Sequence, residues 1–328
     1  MNGGQLRSRA AGAVVMCSLL GVAVWYLLVG TGLGGMSAAV LYGLADEQTE
    51  AKVESGERVC VVKDWGIAES SGLAISRRRS DCFWTHNDSG DGPRLFLVDS
   101  SGTTRGILTV ATADPVDWED LCSFELDGQS WLLVADVGDN AADRGRDRRG
   151  CRLLLLAEPE LQEDSEGRVQ SWRGEVRAEI EVTYPGGPRD CESVAVDVTS
   201  RTVLLVSKRP AGKAGLYSLE LNLQQPRQRV ELREEGPVAV PYATGMDISA
   251  DGLQLVLVNP VSGVLYRRQA GEVWGEAIRR EAQILTVPLR KQGESVCFES
   301  GGKSVLAGSE GRWQTVWRVQ LPERAIPE

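Results

Sequence analysis

Carboxylates recur in this 328-residue chain just ahead of short apolar runs, where a β-strand gains nothing from a charge. Glu69 precedes SSGLAIS; Asp117, Glu119 and Asp120 precede LCSFEL; Glu192 precedes SVAVDV; Asp247 precedes ISADG; Glu294 precedes SVCFES. A second set of acids and amides follows other apolar runs: Asn87 and Asp88 after CFWTH, and Asp136, Asp139 and Asn140 within ADVGDN. Like charges brought to one place repel, so such groups stay protonated or share a cation. Oxygen ligands without thiolate or imidazole clusters select a hard divalent ion, and calcium tolerates ligands from scattered loops better than magnesium. The expected metal set is Glu69, Asn87, Asp88, Asp117, Asp120, Asp136, Asp139, Asn140, Glu192 and Glu294, with Ca2+ ahead of Mg2+. For any single Asp a turn role is the better explanation, because Asp-Gly and Gly-Asp-Asn favour turns whatever the function. The recurrence carries the case for a shared site.

Catalytic chemistry on such a rim needs a base and a positive charge. Glu119 and Glu192 are the candidate bases. His86, the one histidine, is another beside Asn87 and Asp88, or equally a hydrogen-bonded structural imidazole; it excludes a multi-histidine zinc centre. Lys208 and Arg209 could hold a phosphate or carboxylate, or could form a salt bridge with a neighbouring acid. Ser89 has no GxSxG context. Arg144, Arg146, Arg148 and Arg149 read as a solvated loop. Three functions fit: a metal-dependent hydrolase of a small anionic ester, phosphoester or lactone; a non-catalytic module binding protein or glycan at the channel mouth; and, least supported, an acid-lined pore without metal.

The elements that must position these residues are short strands rich in Val, Leu and Ile, separated by Gly, Asp and Ser turns, with helical periodicity nearly absent. The markers Glu69, Glu119, Glu192, Asp247 and Glu294 are spaced by 50, 73, 55 and 47 residues. Apart from the long second unit, with insertions at 141–150 and 160–172, this is the spacing of four-stranded blades. The expectation is an all-β propeller of five blades, or six if the second unit hides another. The fifth copy lacks an outer strand, and RVCVVK near residue 60 would close the last blade and remove the raw edge.

The net charge of −10 and pI near 4.9 argue against a nucleic-acid partner. Residues 10–45 carry no charged side chain; Arg7 and Arg9 precede them, and Asp46, Glu47 and Glu50 follow. The expectation is a cytoplasmic tail over 1–11, a transmembrane signal-anchor over 12–45, a linker over 46–57 and a propeller over 58–323 outside the cytoplasm. A cleaved signal peptide with processing near Ala45, giving a secreted domain, is the alternative. Cys17 lies in the apolar segment, and the other six cysteines permit up to three disulfides. Buried thiols are at least as good a reading for Cys122 and Cys297.

The segments ESSGLA, WTHNDSG, DWEDL, ADVGDN, CESVAVD, SKR and GESV resemble an uncharacterised bacterial family of exported β-propellers. That family is in turn similar to phytase-like and lactonase-like propellers. The resemblance covers about Glu69 to Leu321, and THNDSG, DWED and DVGDN are its most specific parts. It implies a calcium-type site in the channel at the acid and amide positions named above, and phosphoester or lactone hydrolysis in distant relatives. The fourth copy departs from it, with Thr244-Gly245 ahead of Met246 and Asp247.

Overall fold

The computed structural model describes residues 56–88, 90–111, 115–140, 151–162, 168–210 and 212–323. The tail, the apolar span, most of the linker, Ser89 and the arginine-rich loop lie outside the described residues. No helix of the described residues is long and apolar enough to cross a membrane.

The chain runs β1 (Glu57–Val61), β2 (Ser70–Ile75), β3 (Cys82–Asn87), β4 (Arg94–Asp99), β5 (Thr104–Ala111), β6 (Trp118–Leu126), β7 (Gln129–Asp136), β8 (Arg152–Ala157), β9 (Gln170–Thr183), β10 (Cys191–Asp197) and β11 (Thr202–Ser207). It continues through β12 (Gly215–Glu220), β13 (Arg227–Glu231), β14 (Arg233–Pro237), β15 (Gly245–Ile248), β16 (Gln254–Val258), β17 (Gly263–Arg267), α1 (Trp274–Ala277), β18 (Gln283–Leu285), β19 (Gly293–Phe298), β20 (Ser304–Ser309) and β21 (Thr315–Gln320).

These strands form an all-β, propeller-like arrangement of antiparallel four-stranded units. The orders are β2-β3-β4-β5, β6-β7-β8-β9, β10-β11-β12-β14, β15-β16-β17-β18 and β19-β20-β21-β1. The first two units join through parallel pairing of β5 with β9, and β13 adds to β9, also in parallel. The early strand is the outer partner of the last: β1 pairs antiparallel with β21, from Glu57 opposite Arg318 to Val61 opposite Thr315. Tight turns make the units compact. Asp127 and Gly128 between β6 and β7 both take positive φ, 54° and 76°, as a two-residue hairpin turn requires.

Strands β2, β10, β15 and β19 are buried along their whole length. They and β6 lie side by side: β2 by β6, β6 by β10, β10 by β15, β15 by β19, and β19 by β2. Both faces of an inner strand are covered, so it reads as a near-continuous apolar run once past its first residues. Buried side chains cluster between neighbouring units. Trp84, Leu97, Leu121 and Leu154 fill one such space, and Leu73, Phe83, Cys297 and Leu306 fill that between the last unit and the first.

Three expectations change. The 14-residue β9 starts at Gln170, inside the stretch read as an insertion, because the alternation of QSWRGEVR already has strand period. The stretch RVELRE, whose alternation predicts one outer strand for the third unit, is two strands, β13 on the neighbouring unit and β14 on its own. The six described cysteines form no disulfide: all are buried free thiols. Burial pushes the Cys60 thiol up to about 11 and those of Cys82 and Cys191 up to about 12, so they pack as small hydrophobes.

Candidate metal centre

The acids are aimed by bulges. Pairing of the inner strand with its neighbour shifts register between Ser70 and Leu73, Trp118 and Asp120, Cys191 and Val194, and Gly293 and Ser295. The β15–β16 pair runs without a shift. A bulge inserts an unpaired residue and re-aims its side chain. Glu119, Glu192 and Glu294 each occupy such an insertion, and Ser71 occupies the fourth.

A second backbone feature repeats with them. The amides of Asp88, Gly138, Lys208 and Glu310 donate to the carbonyls of Glu69, Asp117, Asp190 and Gln292, at 2.9, 3.2, 2.9 and 2.9 Å. Each of those carbonyls belongs to the residue two before the inserted one. Glu69 is therefore the counterpart of Asp117 and Asp190, and the counterpart of Glu119 is Ser71, whose hydroxyl donates to the Glu119 carbonyl. The marker spacing read from sequence had Glu69 two residues out of register. The unit β15–β18 supplies no rim carboxylate, in line with its departure in sequence.

Two groups of three carboxylates result. One oxygen from each of Asp88, Asp117 and Glu119 lies within 4.8 Å of the others, and the same holds for Glu119, Asp190 and Glu192. Glu119 belongs to both. The backbone of Gly138 lies against this corner, where a Cβ would overlap the Glu119 and Asp117 carboxylates. Burial, then the charges of Glu192, Asp88 and Asp117, push the Glu119 carboxyl well above its ordinary range. Burial also raises Asp190, partly offset by the amide of Asp139, which donates to its Oδ1 at 2.8 Å.

Beyond them sits a cation. Lys208 Nζ donates to Glu192 Oε1 in a short ion pair. Burial acts against the charged ammonium, but Glu192, Glu294 and Glu119 outweigh it and raise its pKa. Burial pushes Glu192 up to about 7 against the pull of Lys208. Burial and the Glu192 charge push Glu294 up to about 8. Glu310 is raised by burial and then by Asp88 and Glu69.

Other expected site residues hold the framework. Asp120 is fully buried, its Oδ1 accepting from the amide of Leu121 (2.8 Å) and its Oδ2 from those of Val194 (2.8 Å) and Met246 (3.4 Å). Asp247 does the same deeper in the fold, accepting from Ile248 and Phe298, both at 2.8 Å. Asp136 is fully buried, ion-paired with Arg152 at 3.0 Å, and accepts the Asp117 amide at 2.9 Å. Asn87 latches the turn before β2: its Oδ1 accepts from Ala68 and Glu69, and its Nδ2 donates to Gly66 and Asp91.

His86 is fully buried edge-on to Trp118. Its Nε2 accepts the Gly72 amide at 3.2 Å, so Nδ1 carries the proton and donates to the Asn87 carbonyl at 2.9 Å. Burial lowers its pKa, and in this geometry neither nitrogen is left to accept a substrate's proton. Asp139 is buried with its amide on Asp190; Asn140 and Glu69 are exposed; the Arg209 carbonyl accepts the Tyr242 amide.

Asp190 and Glu310 belong to the site and were not singled out from sequence. The signal for Asp190 was present: Asp190-Cys-Glu192 repeats the Asp-x-Glu of Asp117-Trp-Glu119. Glu310 follows its strand as Asp88 and Lys208 follow theirs.

The donor set fits a divalent metal. Two oxygens on one calcium, each at 2.3–2.6 Å, stand at most about 5 Å apart, which the spacing of both groups satisfies. No family model matches the chain, and no curated protein matches it. Among solved structures it is similar to the PQQ-bound aldose sugar dehydrogenase of Streptomyces coelicolor, with 10% identity and TM-score 0.47 over 81% of this chain and 98% of that one. It is similar also to a chain of a nidogen/laminin complex (12%, 0.40, 74% and 73%) and to U3-55K (13%, 0.36, 77% and 68%). The propeller-like fold rests on the strand pairing above, and it carries no particular phytase-like or lactonase-like membership.

Proposed function

We propose that this chain is a calcium-binding β-propeller of five blades that hydrolyses a small anionic ester, phosphoester or lactone at the mouth of its inner strands. The observation that carries the reading is the sharing of Glu119 by two three-carboxylate groups in a partly buried corner, whose mutual repulsion Lys208 offsets only in part, so that Glu119 stays well above its ordinary range. The five inner strands, each beside the next and β19 beside β2, support the blade count, and the β1–β21 pairing supports closure. Calcium is favoured over magnesium because the ligands come from separate units with irregular geometry.

Bound at Asp88, Asp117, Glu119, Asp190 and Glu192, calcium would polarise the substrate's oxygen. The chain's own groups divide the proton work. In the metal-free protein burial holds Glu192 at about 7 and Glu294 at about 8. Calcium on Glu192 would favour its ionised form, leaving Glu294, outside both three-carboxylate groups, to hold a proton near neutral pH. Lys208 lies where it can meet developing negative charge. Location outside the cytoplasm, as a membrane-anchored or secreted domain, is part of this proposal, and the uncharged apolar sequence over 12–45 supports it.

One observation favours a non-catalytic reading, a rim that binds protein or glycan: the Lys208 ammonium is already taken by Glu192. Calorimetric titration of the full chain with calcium, after chelator stripping, tests the common part. Stoichiometric heat lost in Glu119→Gln supports the site; no heat from folded protein sinks it. A panel of esters, phosphoesters and lactones then separates the readings, since turnover lost in Glu192→Gln belongs to the hydrolase alone.

A further inference from the structure

Two of the seven exposed large apolar side chains among the described residues sit together, in the turns that carry Glu69 and Glu310. Trp65 is 64% exposed and Trp313 51%, with ring centroids 6.1 Å apart and planes at 61°. The Arg312 guanidinium lies over the Trp65 ring, 4.4 Å from its centroid. Neither indole is on a loose loop. Trp65 stands in a turn pinned from both sides: Asp64 accepts the Gly66 amide at 2.8 Å and the Thr104 hydroxyl at 2.6 Å, and Ile67 beneath it is fully buried. Asn87 ties down Gly66, Ala68 and Glu69 in the same turn.

Trp313 is held in the left-handed backbone region, φ 60°, between Gly311 (φ 101°) and the buried Gln314, whose carbonyl accepts the Val62 amide at 3.0 Å. A bulky residue in that region is strained, and strain persists where the surroundings enforce it. The fold therefore fixes two adjoining indoles that remain 64% and 51% exposed, one face of Trp65 being covered by Arg312. The same two turns carry acceptors: Glu69 closes the turn that Trp65 opens, and Glu310 lies three residues before Trp313. The charges of Glu69 and Asp88 both reach Glu310.

We propose that Trp65 and Trp313 form a saccharide-binding platform. A sugar ring presents an apolar C–H face to an indole and hydroxyl donors at its edge, and Glu69 and Glu310, carried by the same two turns as the indoles, are the acceptors assigned to that edge. Arg312 braces the first indole by cation–π contact. The acidic surroundings disfavour anionic glycans and anionic lipid, so the ligand is a neutral sugar. This platform shares Glu310 with the acidic mouth but requires neither calcium nor hydrolysis.

The test is a glycan array probed with the full chain in a detergent without a sugar headgroup, once with calcium and once with chelator. Neutral glycans are retained in both arms. Trp65→Ala and Trp313→Ala each weaken titrated binding of the best array sugar by about tenfold or more, with the melting temperature held. Trp313→Gly, which relieves the backbone while removing the ring, is as defective as Trp313→Ala. Retention of no glycan above the doubly substituted chain overturns the proposal, as does retention unaffected by either substitution. Binding of tetramethylammonium in place of sugars, lost with the same indoles, also overturns it by assigning the platform to a quaternary cation. Loss of glycan binding in chelator alone would transfer the sugar to the metal and overturn the platform's independence.

Discussion

Gly138 and Glu119 touch: the Glu119 and Asp117 carboxylates occupy the space that a Cβ on Gly138 would need. Gly138 has no need of positive φ, so alanine there is acceptable to the backbone and objectionable only to the carboxylates. Gly138→Ala is expected to lower calcium affinity by about tenfold or more, roughly 1.4 kcal/mol, while changing the melting temperature little. Calorimetry beside thermal melting checks both halves, and unchanged affinity would dissociate Gly138 from the site.

Stability should depend on pH with a sign that calcium reverses. A carboxyl with a raised folded pKa contributes stability that is fully present below its unfolded value near 4.5 and lost as pH rises through the folded value. For Glu192 and Glu294 those values are about 7 and about 8. In chelator the melting temperature should fall from pH 5 to pH 9, by an amount on the order of a few kcal/mol in stability. Saturating calcium, which favours the ionised carboxylates, should flatten or invert that slope. A melting temperature in chelator that rises across the window would contradict the assignment.

Lys208 is the counter-charge for three buried glutamates, so its removal leaves them uncompensated. Lys208→Met should destabilise the calcium-free protein at pH 8 by about 3 kcal/mol, because breaking a buried pair strands the remaining charge. The double variant Glu192→Gln/Lys208→Met should recover part of the loss. Urea unfolding of both variants measures it, and additive losses would deny the coupling.

Asp120 and Glu119 are neighbours in sequence with opposite duties. Asp120→Asn replaces one acceptor by a donor facing the amides of Val194, Leu121 or Met246, and should cost about 2 kcal/mol of stability without altering calcium stoichiometry. Glu119→Gln should do the reverse. Calorimetry that shows lost binding in Asp120→Asn would return Asp120 to the ligand set.

The six described thiols should be inert in the native state. A disulfide-exchange reagent added at pH 8 should label none of them until denaturant is present, because all six are buried and burial raises the thiols of Cys60, Cys82, Cys122, Cys191 and Cys297. Rapid labelling of native Cys60 or Cys82 would contradict this packing.

The strands were legible because their inner members are apolar runs bounded by Gly and Asp turns, and the β1–β21 pairing followed from counting one strand short at the end and one spare at the start. Glu119, Glu192 and Glu294 were legible because a charge ahead of a buried run has to be aimed somewhere. Hidden from sequence was the bulge that aims them. A one-residue insertion leaves no composition signal, so Glu69 was placed in register with the glutamates and Asp190 was passed over. Asp120, Asp136 and Asn87 look like ligands in sequence for the reason that makes them good latches: short side chains with oxygens accept backbone amides as readily as they accept metals.

The long β9 has a mechanical consequence. It is stitched in parallel to β5 on one side and to β13 on another, so the first two units share continuous backbone hydrogen bonding, and the third is joined to them by the chain as it passes from β13 to β14. The last unit is tied to the first by the chain itself as it leaves β1 for β2. Among the described residues no strand pairing joins the third unit, β15–β18 or the last unit to one another; side-chain links such as Arg268 to Asp197 and Gln254 to Gly302 stand in its place. Of these three staves β15–β18 alone carries no rim acid, so it is the one that can work free while the cation-holding corner stays assembled.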